Sequence, residues 1–545
     1  MKVAELFVKC LENEGVSTIF GVPGEENLDV MDALLSSSIR FITTRHEQGA
    51  AFMADVHGRL TKQAGVCLST LGPGATNLIT GVADAHLDRA PLVAIAGQAG
   101  TNRLHKESHQ VLNLVNLFAP ITKYSAQIVE PSIVAEVVRK AFKVAQTEKP
   151  GATFIELPEN IAAMDAGDKQ PLKVQSAMPP SPPKEKIQQA ADVISTARSP
   201  LVLAGNGVIR SRAASALLNF ADTLKIPVAN TFMAKGVIPF SNPLSLGTVG
   251  LQSRDFVSCA FDQADVIICV GFDMVEYHPH LWHKDTTKKI IHIDETPAEV
   301  DEYYILECGV VGDISQSLNA LVSAVKHVNK NTQPVLRKQI VDELEAHAHD
   351  NHFPMKPQKI VWDLRQALKA EDICISDVGA HKMWMARMYE ANMPNTCIIS
   401  NGFASMGIAV PGAIGAKLVY PQRTVVAVTG DAGFLMNCQE IETALRIKTP
   451  IIIVIWNDSE YGLIKWKQEI HFGRDSNIDF NNPDFVKFAE SFGAKGYRVQ
   501  QAKDFVPTLQ QAIKDNTVVL IDVPVDYSEN MKLTKQLNQL VCPKE

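Results

Sequence analysis

Residues 425–433 read VVAVTGDAG, and residues 450–458 read PIIIVIWND. Each contains an uninterrupted apolar run, which is typical of a parallel strand covered on both faces of its sheet. The carboxylates Asp431 and Asp458 follow these runs and lie 27 positions apart, which fits one strand, one crossover helix and a return strand. Ligands bind at the carboxyl ends of such strands. We therefore predict that both carboxylates converge on one hard cation, with Mg²⁺ as the natural candidate.

The glycines beside Asp431 add a second feature. Gly430 and Gly433 allow the backbone to approach a phosphate group closely, and the helix that follows directs its N-terminal N–H groups at such an anion. We therefore expect a diphosphate that is bridged to the protein through Mg²⁺. The alternative is that Asp431 caps a helix and Asp458 occupies a turn, since both are common uses of aspartate.

Length and composition set the broad class of the protein. The chain has 545 residues, enough for three or four domains with buried cores. Its composition, with 46% hydrophobic and 21% charged residues, excludes long disorder and a small disulfide scaffold. The formal net charge of −8 provides no general basic surface. We therefore expect neither nucleic acid nor a membrane as a partner.

The N-terminal residues and the cysteines indicate the compartment. Residues 1–15 carry three glutamates and lack an apolar core before a cleavage site, so we predict the first helix of a cytoplasmic protein. The longest apolar run near a strand, Ile451 to Trp456, is far shorter than the roughly 20 residues of a bilayer-spanning helix.

Nine cysteines are scattered from Cys10 to Cys542 without a C-x-x-C pair. We expect reduced, mostly buried thiols rather than disulfides or a zinc site.

Two composition shifts divide the chain. The proline-rich segment Pro171 to Lys186 cannot continue a helix or a central strand and predicts an extended linker. A second boundary is predicted at Asn329 to Pro334, before a charged helical stretch from Leu336 to Ala346. Because β-branched runs alternate with helix-length segments in every piece, we predict an α/β protein with three doubly wound parallel-sheet domains. These domains are expected at residues 1–165, 187–328 and 355–530.

Short β-branched runs predict individual strands. They lie at residues 201–204, 266–270, 289–293, 373–376, 425–429 and 451–456. The first and third domains also end alike, since residues 154–158 read FIELP and residues 520–524 read LIDVP. This similarity indicates two copies of one fold.

The spacing of the two aspartates resembles the signature of thiamine diphosphate enzymes, in which Gly-Asp-Gly and Asn-Asn lie a similar distance apart. Here Ala432 replaces the third-position glycine, and Asp458 replaces the second asparagine after Asn457. Both changes keep what the site needs, because alanine is small and aspartate is a stronger cation ligand than asparagine. The resemblance implies that the cation also takes the backbone carbonyl of Glu460, next to Asp431 and Asp458.

A thiamine diphosphate site also needs a carboxylate against the aminopyrimidine, far from the metal. Glu47 is the candidate, because residues 41–54 read FITTRHEQGAAFMA, a predicted strand that leads into a helix rich in small residues. Small neighbours let the acid stand in a dry contact that raises its pKa toward neutrality. The alternative is a first-turn glutamate that stabilises the helix dipole.

Nearly the whole chain is similar to the acetolactate synthases of the thiamine diphosphate-dependent decarboxylase superfamily. The motifs that carry this resemblance are FGVPG at 20–24, RHE at 45–47, LGPGATN at 71–77, APITK at 119–123, KPG at 149–151 and GFASMG at 402–407. In such enzymes the first domain holds the pyrimidine, the third holds the diphosphate, and the site forms between two subunits. The resemblance therefore implies a homodimer or homotetramer in which Glu47 of one chain faces Asp431 and Asp458 of another.

The resemblance assigns further cofactor contacts by position. Met406 matches the bulky apolar residue that props the cofactor into its bent shape, although taken alone it reads as a core filler. Gly402 offers backbone near the pyrimidine. Residues 377–381 resemble the diphosphate loop, with Ala380 where many relatives have glutamine and with His381 as a phosphate donor or, alternatively, a surface histidine. The other predicted cofactor contacts are Pro23, Gly24, Pro73, Asn77, Gly430, Ala432, Gly433 and Asn457.

Members of the superfamily differ in the residues near the acceptor, the molecule that takes up the enamine formed by decarboxylation. Aldehyde-releasing decarboxylases carry adjacent histidines after the Leu-Gly-Pro-Gly stretch, whereas Ser108-His109-Gln110 has one, which favours ligation to a second 2-keto acid. The resemblance implies that Gln110 contacts the substrate. Glu47 argues against glyoxylate carboligase, which lacks that acid. Trp466 lies on a segment similar to the mobile segment near the acceptor, but one position earlier than in biosynthetic relatives, so its role stays open.

The sequence of the middle domain indicates whether the protein needs a flavin. Biosynthetic acetolactate synthases bind FAD through an Arg-Phe-Asp-Asp-Arg stretch, whereas residues 271–279 read GFDMVEYHP, close to the FAD-independent catabolic branch. We therefore expect that FAD is not required. The turn Gly205-Asn206-Gly207 suggests a dinucleotide site, but Arg210 leaves the G-x-G-x-x-G fingerprint incomplete and favours a plain β–α turn.

The resemblance implies an acetolactate synthase. Such an enzyme uses thiamine diphosphate and Mg²⁺ to decarboxylate pyruvate and to ligate the resulting enamine to a second pyruvate, which gives 2-acetolactate and CO₂. The alternative is a decarboxylase or oxidase for another 2-keto acid or an acyl-CoA, because Ala432, Ala380 and the position of Trp466 depart from typical acetolactate synthases. A regulatory subunit that keeps only the fold conflicts with the intact acid and aspartate pair.

Overall fold

The computed structural model describes residues 1–175, 178–250, 254–328, 332–535 and 542. In this part of the chain three sheets form, each with six parallel strands, so the predicted α/β fold with three doubly wound domains is confirmed. The predicted boundary at Asn329 to Pro334 lies partly outside the described residues, as do residues 176 and 177 of the predicted linker.

The first sheet has the strand order β2-β1-β3-β4-β6-β5. Its strands are β1 (Thr18–Gly21), β2 (Arg40–Thr43), β3 (Gly65–Ser69), β4 (Leu92–Gln98), β5 (Ser125–Gln127) and β6 (Ala152–Pro158). Its helices are α1 (Val3–Asn13), α2 (Leu28–Leu34), α3 (Glu47–Thr61), α4 (Pro73–Leu87), α5 (Leu114–Phe118), α6 (Val134–Gln146) and α7 (Glu159–Ala162). Strands β3, β4 and β6 are buried throughout, as their continuous apolar sequences require.

The second sheet has the order β12-β11-β10-β7-β8-β9, which is the dinucleotide-binding order with strand β7 at its centre. Its strands are β7 (Pro200–Ala204), β8 (Val228–Asn230), β9 (Ser245–Thr248), β10 (Val266–Val270), β11 (Lys289–Asp294) and β12 (Leu306–Val311). Its helices are α8 (Lys184–Thr196), α9 (Gly207–Arg210), α10 (Ala214–Leu224), α11 (Phe256–Gln263) and α12 (Ile314–Ala324), and α13 (Pro334–Glu345) follows.

The third sheet has the order β14-β13-β15-β16-β18-β17. Its strands are β13 (Ile373–Ser376), β14 (Cys397–Ile399), β15 (Val425–Gly430), β16 (Ile452–Asn457), β17 (Lys495–Arg498) and β18 (Val519–Pro524). Its helices are α14 (Pro357–Ala367), α15 (Ala380–Met388), α16 (Ala409–Val419), α17 (Asp431–Asn437), α18 (Glu440–Arg446), α19 (Gly462–Phe472), α20 (Phe485–Phe492), α21 (Phe505–Asp515) and α22 (Asn530–Lys535).

The first and third sheets share one topology. In each, the sixth strand along the chain lies between the fourth and the fifth. The similar segments FIELP and LIDVP belong to these two strands, β6 and β18. The short sequence similarity therefore marks equivalent positions in two copies of one fold.

Helices α3 and α16 pack together and join the first domain to the third. The crossing is close, because a Cβ on Gly415 would lie 2.6 Å from the carbonyl oxygen of Met53. Apolar residues of both domains, among them Phe52 and Ile414, belong to one buried cluster. The two domains of one chain thus share a core.

The elements differ from the sequence predictions in small ways. Each predicted strand appears with its ends shifted by at most one residue. The predicted linker ends earlier than expected, because α8 begins at Lys184 directly after Pro183, whose φ of −63° suits the start of a helix. No helix in the described ranges has the length and apolar character needed to cross a membrane.

The cysteines require a correction. A disulfide joins Cys259 of α11 to Cys542, so the expectation of reduced thiols is wrong for these two residues. The pair is 283 positions apart, and cysteine spacing does not reveal that Cys542 lies against α11 of the middle domain. The other seven cysteines are free, and all of them except Cys438 are buried.

Candidate active site

Asp431 and Asp458 lie next to each other at the carboxyl edge of the third sheet. Strands β15 and β16 are neighbours, with Gly430 paired to Trp456, so the residues that follow them emerge side by side. Asp431 Oδ2 accepts the backbone N–H of Asp458 at 3.2 Å and that of Ser459 at 2.7 Å. The Asp431 carboxylate therefore lies directly against the backbone of Asp458.

The electrostatics of this pair fit a divalent cation. Burial and the neighbouring charges of Asp431 and Glu460 raise the pKa of Asp458 to about 8, and burial also raises the pKa of Asp431. A buried and a half-buried carboxylate that repel each other are stabilised by a hard cation between them. The side chain of Glu460 instead pairs with Lys465 at 2.8 Å, so its backbone carbonyl stays the predicted third ligand.

The cation site would depend on backbone and amide oxygens as well as on the two aspartates. Among the residues that the structure describes, no group of three or more His, Cys, Asp or Glu side chains is arranged to hold a metal ion. Whether Asp431, Asp458 and Glu460 are the ligands stays a prediction.

Asn482 is a site residue that the sequence did not reveal. Its Nδ2 donates to Asp431 Oδ2 at 2.7 Å and to Asn457 Oδ1 at 3.0 Å. Asn457 in turn donates to Asp522 at 2.9 Å. Asn482 Oδ1 is buried without a hydrogen-bond partner in the described part of the chain. Asn482 thus orients both Asp431 and Asn457 and offers a free oxygen beside them.

His381 is buried, with 2% of its surface exposed, at the start of α15. The alternative of a surface histidine is therefore wrong. Burial lowers its pKa to about 3, so the ring is neutral, and its buried Nε2 has no hydrogen-bond partner among the described residues. A Cβ on Gly379 would lie 2.8 Å from this ring, and one on Gly430 would lie 3.4 Å from it. A neutral imidazole between two glycine loops fits a diphosphate.

The remaining residues predicted for the diphosphate lie around this ring. Ala380 is the first residue of α15 and is buried. Ala432 and Gly433 lie in the first turn of α17, and a Cβ on Gly433 would be 3.2 Å from the Asp377 carboxyl carbon. The N-terminal ends of two helices therefore meet at one place, as the phosphate prediction requires.

Asp377 fixes the loop of residues 400–407 to the end of β13. Its carboxylate accepts the backbone N–H of Gly407 at 2.8 Å and the hydroxyl of Thr429 at 3.2 Å. Burial raises its pKa to about 6. Met406 on this loop is half-buried, and its role as a cofactor prop stays a prediction.

A charged cluster of the first domain holds the same loop, which we call the pyrimidine loop. Asp88 accepts the N–H of Gly402 at 2.5 Å, and Asp84 accepts the Ser400 hydroxyl at 2.7 Å. Arg59 lies between these carboxylates, 3.0 Å from Asp84 and 2.7 Å from Asp88. The N–H of Gly402 is therefore used within the protein, so its carbonyl is the group that can serve the pyrimidine.

Glu47 is the first residue of α3 and is buried, with 8% of its surface exposed. Asn77 Nδ2 donates to Glu47 Oε2 at 3.0 Å. A Cβ on Gly74 would lie 3.2 Å from Glu47 Oε1, so small neighbours do surround this acid. The structure thus brings together two of the predicted site residues of the first domain, Glu47 and Asn77.

Other predicted residues of the first domain lie at its surface. Pro23, Pro73 and Gln110 are exposed, and Gly24 is half-buried. Gln110 has a φ of +59° and packs its carbonyl against Gly72, where a Cβ would lie 2.7 Å away. This edge of the first domain is thus open to solvent in the single chain.

A cleft of about 710 Å³ adjoins the pyrimidine loop and separates the middle domain from the third domain. Its walls include Phe232, Lys382, Ala404, Trp466 and Phe472. Trp466 is buried, and its indole N–H donates to the Thr534 hydroxyl at 2.9 Å. The acceptor role of Trp466 stays a prediction, but its ring does line this cleft.

The turn Gly205-Asn206-Gly207 uses its N–H groups within the protein. Asn206 donates to Glu276 Oε1 at 3.0 Å, and Gly207 donates to the Gly271 carbonyl at 2.8 Å. Arg210 pairs with Asp273 at 2.8 Å. These bonds match the prediction of a plain β–α turn.

Comparison with known domain families agrees with this geometry. Residues 1–117 match the N-terminal TPP binding domain of thiamine pyrophosphate enzymes, residues 187–321 match the central domain, and residues 377–523 match the C-terminal TPP binding domain. The three sheets, the strand-end aspartates and these matches define a three-domain enzyme that uses thiamine pyrophosphate, the coenzyme also called thiamine diphosphate.

Whole-chain relatives narrow this class. The acetolactate synthase of Bacillus subtilis (strain 168) is 37% identical over 99% of this chain and 97% of its own length. The catabolic acetolactate synthase of Raoultella terrigena is 35% identical over 98% of this chain and 97% of its own length. A probable acetolactate synthase large subunit of Methanocaldococcus jannaschii is 37% identical over 100% of this chain. The chain belongs to the acetolactate synthase family.

Proposed function

We propose that this protein is a catalytic acetolactate synthase, which decarboxylates one pyruvate and ligates the remaining two carbons to a second pyruvate. The products are 2-acetolactate and CO₂. The observation that carries this proposal is the meeting of Asp431 and Asp458 at one sheet edge, in a chain whose first domain buries Glu47 beside Asn77. Relatives of nearly equal length carry the same activity in their names.

Residues of the first and third domains would together hold the cofactor. We infer that Asp431, Asp458 and the Glu460 carbonyl hold Mg²⁺, with Asn482 orienting Asp431. His381 and the N–H groups of the two helix starts would hold the diphosphate. The pyrimidine would contact the Gly402 carbonyl and Met406 from one protomer, and Glu47 from the other. The remaining proposed contacts are Pro23, Gly24, Pro73, Asn77, Ala380, Gly430, Ala432, Gly433 and Asn457.

Thiamine diphosphate supplies, when bound, a carbon centre that stabilises the negative charge left by decarboxylation. The chain contributes the proton chemistry and the positioning. Glu47 would hold a proton at the aminopyrimidine, and the amide of Asn77 fixes one of its oxygens at 3.0 Å. Met406 and the pyrimidine loop would orient the cofactor, and Gln110 would contact the substrate at the exposed edge of the first domain.

We propose a homodimer or homotetramer with active sites between subunits. Large apolar side chains next to both halves of the site are exposed in the single chain, including Leu28, Leu112, Phe403 and Met436. Leu112 follows Gln110 closely and Phe403 follows Gly402, so covering them would bring a second chain to the site.

We also propose that FAD is not required and that the protein is cytoplasmic. Glu276 and Gly271 already accept the N–H groups of the Gly205-Asn206-Gly207 turn, where a dinucleotide phosphate would otherwise bind. The cytoplasmic location stays a prediction.

The test is an assay with purified protein, Mg²⁺, thiamine diphosphate and pyruvate, without added FAD. We expect CO₂ and a product that acid converts to acetoin. The Glu47→Gln variant should lose at least about 100-fold in turnover, whereas Glu25→Gln, an exposed position, should not. Absence of both CO₂ and acetoin from the wild-type protein, or release of free aldehyde instead, would defeat the proposal.

A further inference from the structure

Lys382 lies in the wall of the 710 Å³ cleft beside the pyrimidine loop. It belongs to α15, one position after His381, and only 7% of its surface is exposed. Burying an ammonium group is costly unless a carboxylate or several acceptors compensate it. The groups around the Lys382 ammonium therefore decide whether its charge is compensated.

The described residues give the Lys382 ammonium neither an ion pair nor a hydrogen bond. It lies over the ring of Phe232, whose centroid is 5.7 Å away. Asp84 and Asp88 attract it through space, but both already bind Arg59 and the backbone of the pyrimidine loop. Because burial outweighs this attraction, the pKa of Lys382 falls to about 8.

An incompletely compensated cation in a largely apolar cleft is a ready binding group for an anion. The other walls include Ala404 of the pyrimidine loop and Trp466 of α19. The cleft is therefore next to the loop that the proposed cofactor would contact, and the substrates proposed above all carry a carboxylate.

We propose that Lys382 binds the carboxylate of the acceptor 2-keto acid. Two pyruvates enter the proposed reaction, and their carboxylates have different fates. The donor's carboxylate leaves as CO₂, so a fixed cation against it would stabilise the reactant more than the transition state and slow the step. The acceptor's carboxylate is retained in 2-acetolactate, and a cation can hold it from binding to product. This inference rests on the proposed function.

The test separates acceptors with and without a carboxylate. The wild-type enzyme and Lys382→Met receive pyruvate as donor together with benzaldehyde, a neutral acceptor that competes with the second pyruvate. We expect the ratio of acetolactate to the benzaldehyde adduct to fall at least tenfold in Lys382→Met, and to remain within a few-fold of wild type in Lys382→Arg. The control is Lys514→Met, which removes the same charge from an exposed position of α21.

Two measurements without turnover accompany this assay. Calorimetric titration with lactate, which has the carboxylate but cannot be decarboxylated, should show at least tenfold weaker binding to Lys382→Met and Lys382→Gln. Because these variants remove an unpaired buried charge, their thermal midpoints should equal or exceed that of wild type, whereas loss of a structural lysine would lower them.

The outcomes distinguish the two proposals. If the wild-type protein releases no CO₂ from pyruvate, the proposed function fails. If CO₂ release is normal but Lys382→Met leaves both the product ratio and lactate binding unchanged, the assignment of Lys382 is wrong and the proposed function stands.

Discussion

Asp88 of the first domain accepts the backbone N–H of Gly402 in the third domain at 2.5 Å. Asp88 directly follows α4, and the same carboxylate binds Arg59, which also holds Asp55 and Asp84. The cluster is buried between the domains of one chain. One domain therefore positions the pyrimidine loop that belongs to the other.

Replacing Asp88 with asparagine should weaken cofactor binding. The amide keeps one acceptor oxygen but loses the charge that Arg59 and the loop N–H groups share, a change of about 1–3 kcal/mol for a buried charged hydrogen bond. We expect roughly tenfold lower affinity for thiamine diphosphate at saturating Mg²⁺, measured by calorimetric titration. Asp29→Asn, which breaks a surface pair with Lys2 at 2.7 Å, is the control, and equal affinities in the two variants would contradict the role of Asp88.

Asn482→Ala should raise the Mg²⁺ concentration needed for activity. Asn482 donates to Asp431 at 2.7 Å and to Asn457 at 3.0 Å, so its removal takes away one of the hydrogen bonds that orient the Asp431 carboxylate. Losing one orienting partner of a metal ligand typically costs about 10–100-fold in metal affinity. The neighbouring exposed residue supplies the matched control, Asn481→Ala, which should behave as wild type. An unchanged Mg²⁺ titration in Asn482→Ala would remove Asn482 from the site.

The stability of the protein should depend on pH through Glu276. Burial and the charge of Asp273 raise the pKa of this carboxyl to about 8 in the folded state, whereas its ordinary value is 4.5. Between these two values the unfolded chain is ionised and the folded chain is not, so the free energy of unfolding falls as pH rises. The slope is at most about 1.4 kcal/mol per pH unit, and it ends once the folded-state group also ionises.

Glu276→Gln removes this titration and keeps an acceptor oxygen for the Asn206 N–H. Urea unfolding of the two proteins from pH 5 to pH 8.5 should therefore give a difference in stability that grows with pH in favour of the variant. Parallel pH profiles would show that Glu276 is ionised in the folded protein across this range.

The sequence predicts those parts of the site that depend on one strand and the residue after it. Continuous β-branched runs determine β15 and β16, and their parallel pairing brings Asp431 and Asp458 together without further information. The same logic locates Glu47 at the start of α3. The first domain's hold on Gly402 is different, because Asp88 lies 314 positions away and meets it only through packing between domains.

The residues that sequence reasoning missed share this dependence on tertiary packing. Asn482 lies outside any strand and reaches Asp431 from a loop before α20. In the sequence, Lys382 does not differ from the other lysines, and His381 is equally compatible with a surface position. Only the packing of α15 shows that both side chains are buried. Local periodicity reports which face of an element is apolar, but it does not report which charged side chains the domains enclose.

Mixed dimers should show whether the site forms between chains. If Glu47 of one protomer works with Asp431 of the other, Glu47→Gln and Asp431→Asn homodimers are both inactive, but a mixed dimer contains one site with two intact halves. Co-expressed at equal levels, about half of the dimers are mixed and each has one of two sites, so we expect about one quarter of wild-type activity. The two chains carry different affinity tags, so that the mixed species can be purified and assayed alone.

The reciprocal pairing removes the remaining ambiguity. A chain with both substitutions, paired with a wild-type chain, has no intact site if each site takes one half from each protomer, whereas it keeps one if both halves come from the same chain. We therefore expect the purified dimer of wild-type and doubly substituted chains to be inactive. Half of wild-type activity in this dimer, together with none in the dimer of the two single variants, would mean that Glu47 and Asp431 act within one chain.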